Sequence, residues 1–110
     1  MDRTAAPSPS RPVALVTGGA VRIGRAIALR LAAEGYDVAV HVRRPGPEAD
    51  AARAAVEAAG ARAAVVAAEL AVADEVREVI PQAVAALGPL SLLVNNASEF
   101  HPDAIGGLEL

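Results

Sequence analysis

Two rhythms of hydrophobic and polar positions alternate along this chain: apolar runs of strand length, and apolar stripes at helical spacing, with glycine or proline at most of the changes. Val13-Ala14-Leu15-Val16 is an uninterrupted apolar run of the kind that suits a parallel strand buried on both faces. Gly18 and Gly19 then permit a sharp turn, after which Ile23, Ala26, Ile27 and Leu31 fall on one helical face. Gly35 stands where a left-handed C-cap belongs, and Val38-Ala39-Val40-His41-Val42 reads as a second buried strand. Arg43 to Pro47 is a loop. A helix is expected from about Glu48 to Ala59, burying Ala52, Ala55, Val56 and Ala59, with Gly60 as its stop. Arg62 to Leu70 gives a third strand. From Asp74 to Leu87, positions Val76, Val79, Ile80, Ala83, Val84 and Leu87 follow helical spacing, with acids in the first turn and Gly88-Pro89 at the end. Pro81 predicts a bend in that helix. Leu90 to Asn95 is the fourth strand, and Pro102-Asp103 offers an opening for a further helix.

The order is thus βαβαβαβ. Right-handed crossovers turn it into an α/β fold, a parallel sheet with helices on both faces. In the doubly wound arrangement the strands lie in the order 3-2-1-4, and the crevice between the first and fourth strands is the ligand site.

Composition narrows the classes. At 110 residues and a formal net charge of −3 the chain is one small domain at most, and its charge excludes a nucleic-acid partner. Cysteine is absent, which excludes disulfide and thiolate-metal frameworks and fits a reducing, cytoplasmic setting. His41 and His101 are too few and too scattered for a metal site. Val79 to Ser98 carries no charge and is long enough for a membrane span, but Pro81, Gln82, Gly88-Pro89 and Asn95-Asn96 divide it into helix end, turn and strand. Met1 to Pro12 has Pro and Ser but no apolar core segment, so it is not a secretory signal and reads as a disordered leader.

The chemistry enters at the first strand-to-helix turn. A helix opening directly after a glycine turn presents unpaired N–H groups and the positive end of its dipole, which suits a pyrophosphate. Gly19-x-x-x-x-Gly24 has the glycine interval of a P-loop, but Arg25-Ala26 stands where that loop needs Lys and Ser or Thr, and the chain has no lysine. The G-x-G-x-x-G fingerprint is not matched either. At the end of the second strand, where an acid would bind ribose hydroxyls, stand Arg43 and Arg44. With Arg22 they make a clamp for a 2′-phosphate and favour NADP over NAD; the plain alternative is a pair of solvated loop charges.

Thr17-Gly18-x-x-x-Arg22-x-Gly24 resembles the Thr-Gly-x-x-x-Gly-x-Gly loop of short-chain dehydrogenases/reductases, with Arg for the middle glycine as in the pteridine reductase branch. The resemblance implies a Rossmann-type fold in which Thr17, Gly18, Arg22, Ile23 and Gly24 form the cofactor loop. Glu69-Leu70 resembles the family's Asp-Leu pair, whose acid contacts the adenine while the next backbone closes over it; an exposed acid at a strand end is the alternative. Asn95-Asn96-Ala97-Ser98 is similar to Asn-Asn-Ala-Gly, where the asparagines fasten the sheet and line the cofactor. Ser98 and Phe100 look like the Asn-Asn-Ala-Ser-x-Phe of pteridine reductases, whose Ser and Phe help hold the pterin, and His41-x-Arg43-Arg44 is close to that branch's His-x-His-Arg.

The family's catalytic Ser and Tyr-x-x-x-Lys lie downstream of Asn-Asn-Ala, and Tyr36 is the single tyrosine here. No catalytic residue is therefore expected within this chain. Residues 13–110 read as the N-terminal, NADP(H)-binding part of one Rossmann domain, from a reductase acting on a carbonyl or pterin-like small molecule. By resemblance the complete protein forms a dimer or tetramer. Two other readings remain open: a 3-oxoacyl thioester reductase of the same family, and a non-catalytic NADP-binding sensor.

Overall fold

The computed structural model describes residues 11–20 and 22–96. The elements run β1 (Val13–Val16), α1 (Arg22–Ala33), β2 (Asp37–Val42), α2 (Pro47–Ala58), β3 (Ala63–Ala67), α3 (Ala73–Leu87) and β4 (Leu92–Val94). The strands form one parallel sheet in the order β3-β2-β1-β4. Leu15 pairs with Ala39 on one side and with Leu93 on the other, which fixes the register of the centre.

Because successive strand residues point to opposite faces, the sheet divides its apolar side chains between two cores. Val16, Val38, Val40 and Val42 face α1 and α2, where Ala28, Ala32, Ala52 and Val56 are buried against them. Val13, Leu15, Ala39 and Val66 face α3 and its stripe Val79, Ala83 and Leu87. The buried stripes differ from the sequence expectation in a consistent way. On α1 the inward residues are Gly24, Ala28 and Ala32, with Ile27 and Leu31 at their margin, while Ile23 is 69% exposed. On α3, Ile80 and Val84 turn outward. A helix laid close to a sheet of β-branched side chains touches it with its smallest residues, so the larger apolar ones are pushed to the flanks.

Element ends follow local chemistry. Gly35 and Gly88 carry φ of 109° and 106° after α1 and α3, a conformation that costs a residue with a Cβ. The expected third strand, Arg62 to Leu70, contracts at both ends to Ala63–Ala67, where Arg62 turns its side chain and its own N–H to a carboxylate and the Glu69 N–H turns to Glu75 Oε1, and the fourth contracts to three residues. Pro81 lies inside α3 on its exposed side, where water can take the carbonyl its ring leaves without an N–H donor.

Beneath the sheet, at the N-terminal ends of the strands, Asp37 opens β2 with a side chain only 2% exposed. Its Oδ1 accepts the Arg62 backbone N–H at 2.8 Å and its Oδ2 accepts Arg62 Nε at 2.8 Å. Arg11 Nε stands 3.2 Å from the same carboxylate. The two guanidinium groups also donate to carbonyls at the ends of the helices: Arg11 to Ala32 and Gly60, Arg62 to Leu87. Ala32 and Leu87 lie in the last turns of α1 and α3, at the negative end of each helix dipole, so a cationic donor suits both; Ala32 also accepts the Gly35 N–H, and Gly60 lies just past α2. Arg11 and Pro12, assigned by the sequence to the leader, belong to the fold, since Pro12 also accepts the Asp37 N–H at 2.8 Å.

Candidate functional site

At the other end of the sheet, the β1–α1 turn is held from three sides. Gly18 takes φ of 61°, the left-handed region that its missing Cβ makes accessible. Its N–H donates to His41 Nδ1 at 3.0 Å, and the Gly19 N–H donates to the His41 carbonyl at 3.0 Å. From β4, the Thr17 N–H reaches the Val94 carbonyl at 3.0 Å, and Thr17 Oγ1 accepts the Asn96 N–H at 2.8 Å. That hydroxyl has one proton to give, with Val94 O and Asn95 Oδ1 both at 3.3 Å. Asn96 Nδ2 closes the set by donating to the Gly18 carbonyl at 3.3 Å.

From α1, Gly24 presses its bare Cα against this turn. A Cβ there would overlap the Gly18 carbonyl oxygen and stand 2.6 Å from Asn96 Nδ2. The third glycine of the motif is thus required by packing between helix and loop. Arg22 opens α1 with φ of 52°, a left-handed conformation unusual for a side-chain-bearing residue, and is exposed.

Beside the turn lies an open cavity of about 810 Å³, lined by Gly18, Ala20 and His41 on one side and by residues 42–49 on the other. The two β2-end arginines face different surroundings. Arg44 lines the cavity and is exposed. Arg43 also lines it, but its Nε donates to Glu69 Oε1 at 3.0 Å across the ends of β2 and β3. That bond from Arg43 holds the Glu69 carboxyl below its ordinary range, helped by the Ala71 N–H and by the charges of Arg43 and Arg44, against a smaller opposing effect of burial. Glu69 also donates its N–H to Glu75 Oε1 at 2.7 Å, which ties the end of β3 to the first turn of α3.

Of the residues expected at a cofactor site, Thr17, Gly18, Gly24, His41, Asn95 and Asn96 come together around the turn, and Arg43 and Arg44 come together at the cavity. Glu69 is brought in through Arg43. Leu70 is buried in the α3-side core and Ile23 projects outward. Ala97, Ser98 and Phe100 lie outside the described residues. Sequence reasoning missed the Pro45–Ala49 wall of the cavity, although Gly46-Pro47 at a helix start was its available signal. Among the described residues no group of three or more metal-ligating side chains occurs, and no helix is long and apolar enough to cross a membrane.

Residues 12–106 match the family model described as short chain dehydrogenase. The chain is 44% identical over 84 residues to the 3-oxoacyl-[acyl-carrier-protein] reductase FabG of Staphylococcus epidermidis, covering 76% of this chain and 34% of that protein. It therefore spans about a third of the length of the curated relatives it matches. Its fold superposes on the 3-oxoacyl-[acyl-carrier protein] reductase of Brucella melitensis in complex with NAD, with a TM-score of 0.74 and 37% identity, covering 82% of this chain and 34% of the other. The FolM alternative dihydrofolate reductase 1 of Brucella canis, complexed with NADP, gives a TM-score of 0.73 and 44% identity, covering 82% and 36%. With the glycine turn, the parallel 3-2-1-4 sheet and a family match over nearly its whole length, this chain belongs to the short-chain dehydrogenase/reductase family.

Proposed function

We propose that this chain is the cofactor-binding part of an NADPH-dependent reductase that transfers hydride to the carbonyl or pterin-like ring of a small molecule. The observation that carries the reading is the pair Arg43 and Arg44 lining the cavity at the end of β2, where an NAD-selective site would place an acid. The residues present fit a dinucleotide. Gly18 and Gly24 leave backbone surface bare where a Cβ would fill it, and the first-turn amides of α1 offer donors to a pyrophosphate.

In this reading Arg44 binds the 2′-phosphate, Arg43 and Glu69 close the adenosine end, and Thr17, Asn95 and Asn96 hold the loop against β4. Arg22 adds charge at the phosphates. Ser98 and Phe100 are assigned to the substrate side, and the general acid and its supporting lysine to the part of the protein that follows Asn-Asn-Ala. When bound, the nicotinamide supplies the hydride; the residues of this chain bind and orient it. The 44% identity to a dihydrofolate reductase complexed with NADP supports a pterin-like substrate, and the same identity to FabG supports a 3-oxoacyl thioester as the second reading.

The test is Arg44→Ala in the full-length protein, titrated with both cofactors. A charge-assisted hydrogen bond to phosphate contributes about 1.5–3 kcal/mol, so NADPH affinity falls about tenfold or more while NADH affinity stays within about twofold. Equal losses for the two cofactors would refute the NADPH assignment. Turnover of dihydropteridines against 3-oxoacyl thioesters by the wild-type protein then separates the two substrate readings.

A further inference from the structure

His41 is 1% exposed, and both of its ring nitrogens are engaged. Gly18 N–H is a donor, so the Nδ1 it meets at 3.0 Å carries the lone pair; the Ala68 carbonyl is an acceptor, so the Nε2 at 2.9 Å carries the proton. One tautomer of the neutral ring satisfies both partners. The ring thus spans from the end of β3 to the glycine turn, while the backbone carbonyl of the same residue takes the next amide, Gly19.

Two consecutive loop amides are in this way turned inward onto β2 and withdrawn from any ligand. The two peptide planes that meet at the Gly18 Cα are each held: the Thr17–Gly18 plane by its N–H on His41 Nδ1, and the Gly18–Gly19 plane by its carbonyl on Asn96 Nδ2 and its N–H on the His41 carbonyl. Gly24, at the start of α1, packs against that carbonyl. Rotation about Gly18, once the imidazole no longer holds the first plane, would shift that carbonyl and with it the start of α1 and the first-turn amides that would face a pyrophosphate.

We infer that His41 is a positioning residue, whose imidazole fixes the Gly18 amide and so sets the glycine turn in its dinucleotide-binding geometry. The inference rests on the cofactor reading above but assigns His41 a different task from Arg44. Arg44 meets the part of the ligand that distinguishes NADP from NAD, whereas the turn meets the pyrophosphate common to both. Loss of the His41–Gly18 bond therefore weakens both dinucleotides by the same factor.

Two polar substitutions separate positioning from simple core filling. His41→Asn keeps an acceptor near the Nδ1 position and loses the donor to Ala68; His41→Gln keeps a donor near the Nε2 position and loses the acceptor for Gly18. Each removes one buried hydrogen bond, so the two lose comparable thermal stability. In the full-length protein, His41→Gln is expected to weaken NADPH and NADH alike by about tenfold, the effect of one buried donor left unsatisfied, and to speed amide exchange across residues 17–20. His41→Asn restores both to within about twofold of wild type. Equal affinity and equal exchange in the two variants overturn the inference, as does a loss confined to NADPH. If the wild-type protein binds neither dinucleotide, the proposed function falls, and the exchange comparison in the ligand-free protein still decides what His41 does.

Discussion

Asp37→Ala attacks the end of the sheet farthest from the glycine turn, which makes it a clean probe of what holds the elements together. The carboxylate accepts two 2.8 Å bonds from Arg62 and faces Arg11 at 3.2 Å. Through those arginines it indirectly holds the carbonyls of Ala32, Gly60 and Leu87. Removing one partner of a fully buried ion pair costs about 3–5 kcal/mol, because the other charge is left unpaired. Here the side chains of Arg11 and Arg62 are 37% and 58% exposed, so water recovers part of their charge and the expected loss falls to about 2–3 kcal/mol. Asp37→Asn, which keeps an acceptor for the Arg62 N–H but no charge, should lose less. The assay is urea unfolding of the full-length protein, with a double-mutant cycle against Arg62→Ala. A coupling above about 1 kcal/mol with unchanged NADPH affinity is expected. A loss below about 0.5 kcal/mol, the level of an ordinary surface change, would show that the cluster is incidental.

Three other outcomes follow from the site. Gly24→Ala should abolish dinucleotide binding and cost about 1–3 kcal/mol, since its Cβ meets backbone at Gly18 that cannot swing away; a variant that binds normally would mean the turn is more pliable than its contacts imply. Arg22→Gly should raise stability by about 1 kcal/mol by relieving φ of 52° while weakening NADPH, measured by melting and by titration; a lower melting temperature would argue that no strain is held there. The Arg43–Glu69 pair sets an acid dependence. Because the folded Glu69 carboxyl sits below its ordinary range, its contribution is present above that range and is lost as pH falls through the lowered value. The stability difference between wild type and Glu69→Gln should thus be full above the ordinary carboxylate value, decline as pH falls from that value toward the lowered one, and be gone below it; its disappearance already above the ordinary value would exclude the pairing.

Much of this protein is written locally. Val13–Val16 and Val38–Val42 are apolar at every position but His41, and such runs form parallel strands because both faces will be covered whatever covers them. Gly35, Gly60 and Gly88 end helices through their own backbone freedom, and alternation of these elements with right-handed crossovers leaves the 3-2-1-4 order as the expected topology. The site's location was legible for the same reason: a glycine turn after the first strand and paired asparagines after the fourth meet at the carboxyl ends of adjacent strands.

Tertiary structure decided which partner each polar group meets and which side of each helix is inside. Ile23 looks like a core residue by spacing and lies in solvent, because Gly24, Ala28 and Ala32 allow α1 a closer approach than Ile23 would. Asp37, which no sequence pattern singles out, is the buried hub of two arginines from segments 26 and 25 residues away along the chain. His41, which also lines the cavity, is a buried tie between the end of β3 and the turn, while Arg43 is shared with Glu69. Apolar periodicity is fixed by an element's own geometry and so survives in the sequence. A hydrogen bond or ion pair depends on the position and direction of two groups distant in the chain, and those are set only when the sheet has closed and water has been excluded from between them.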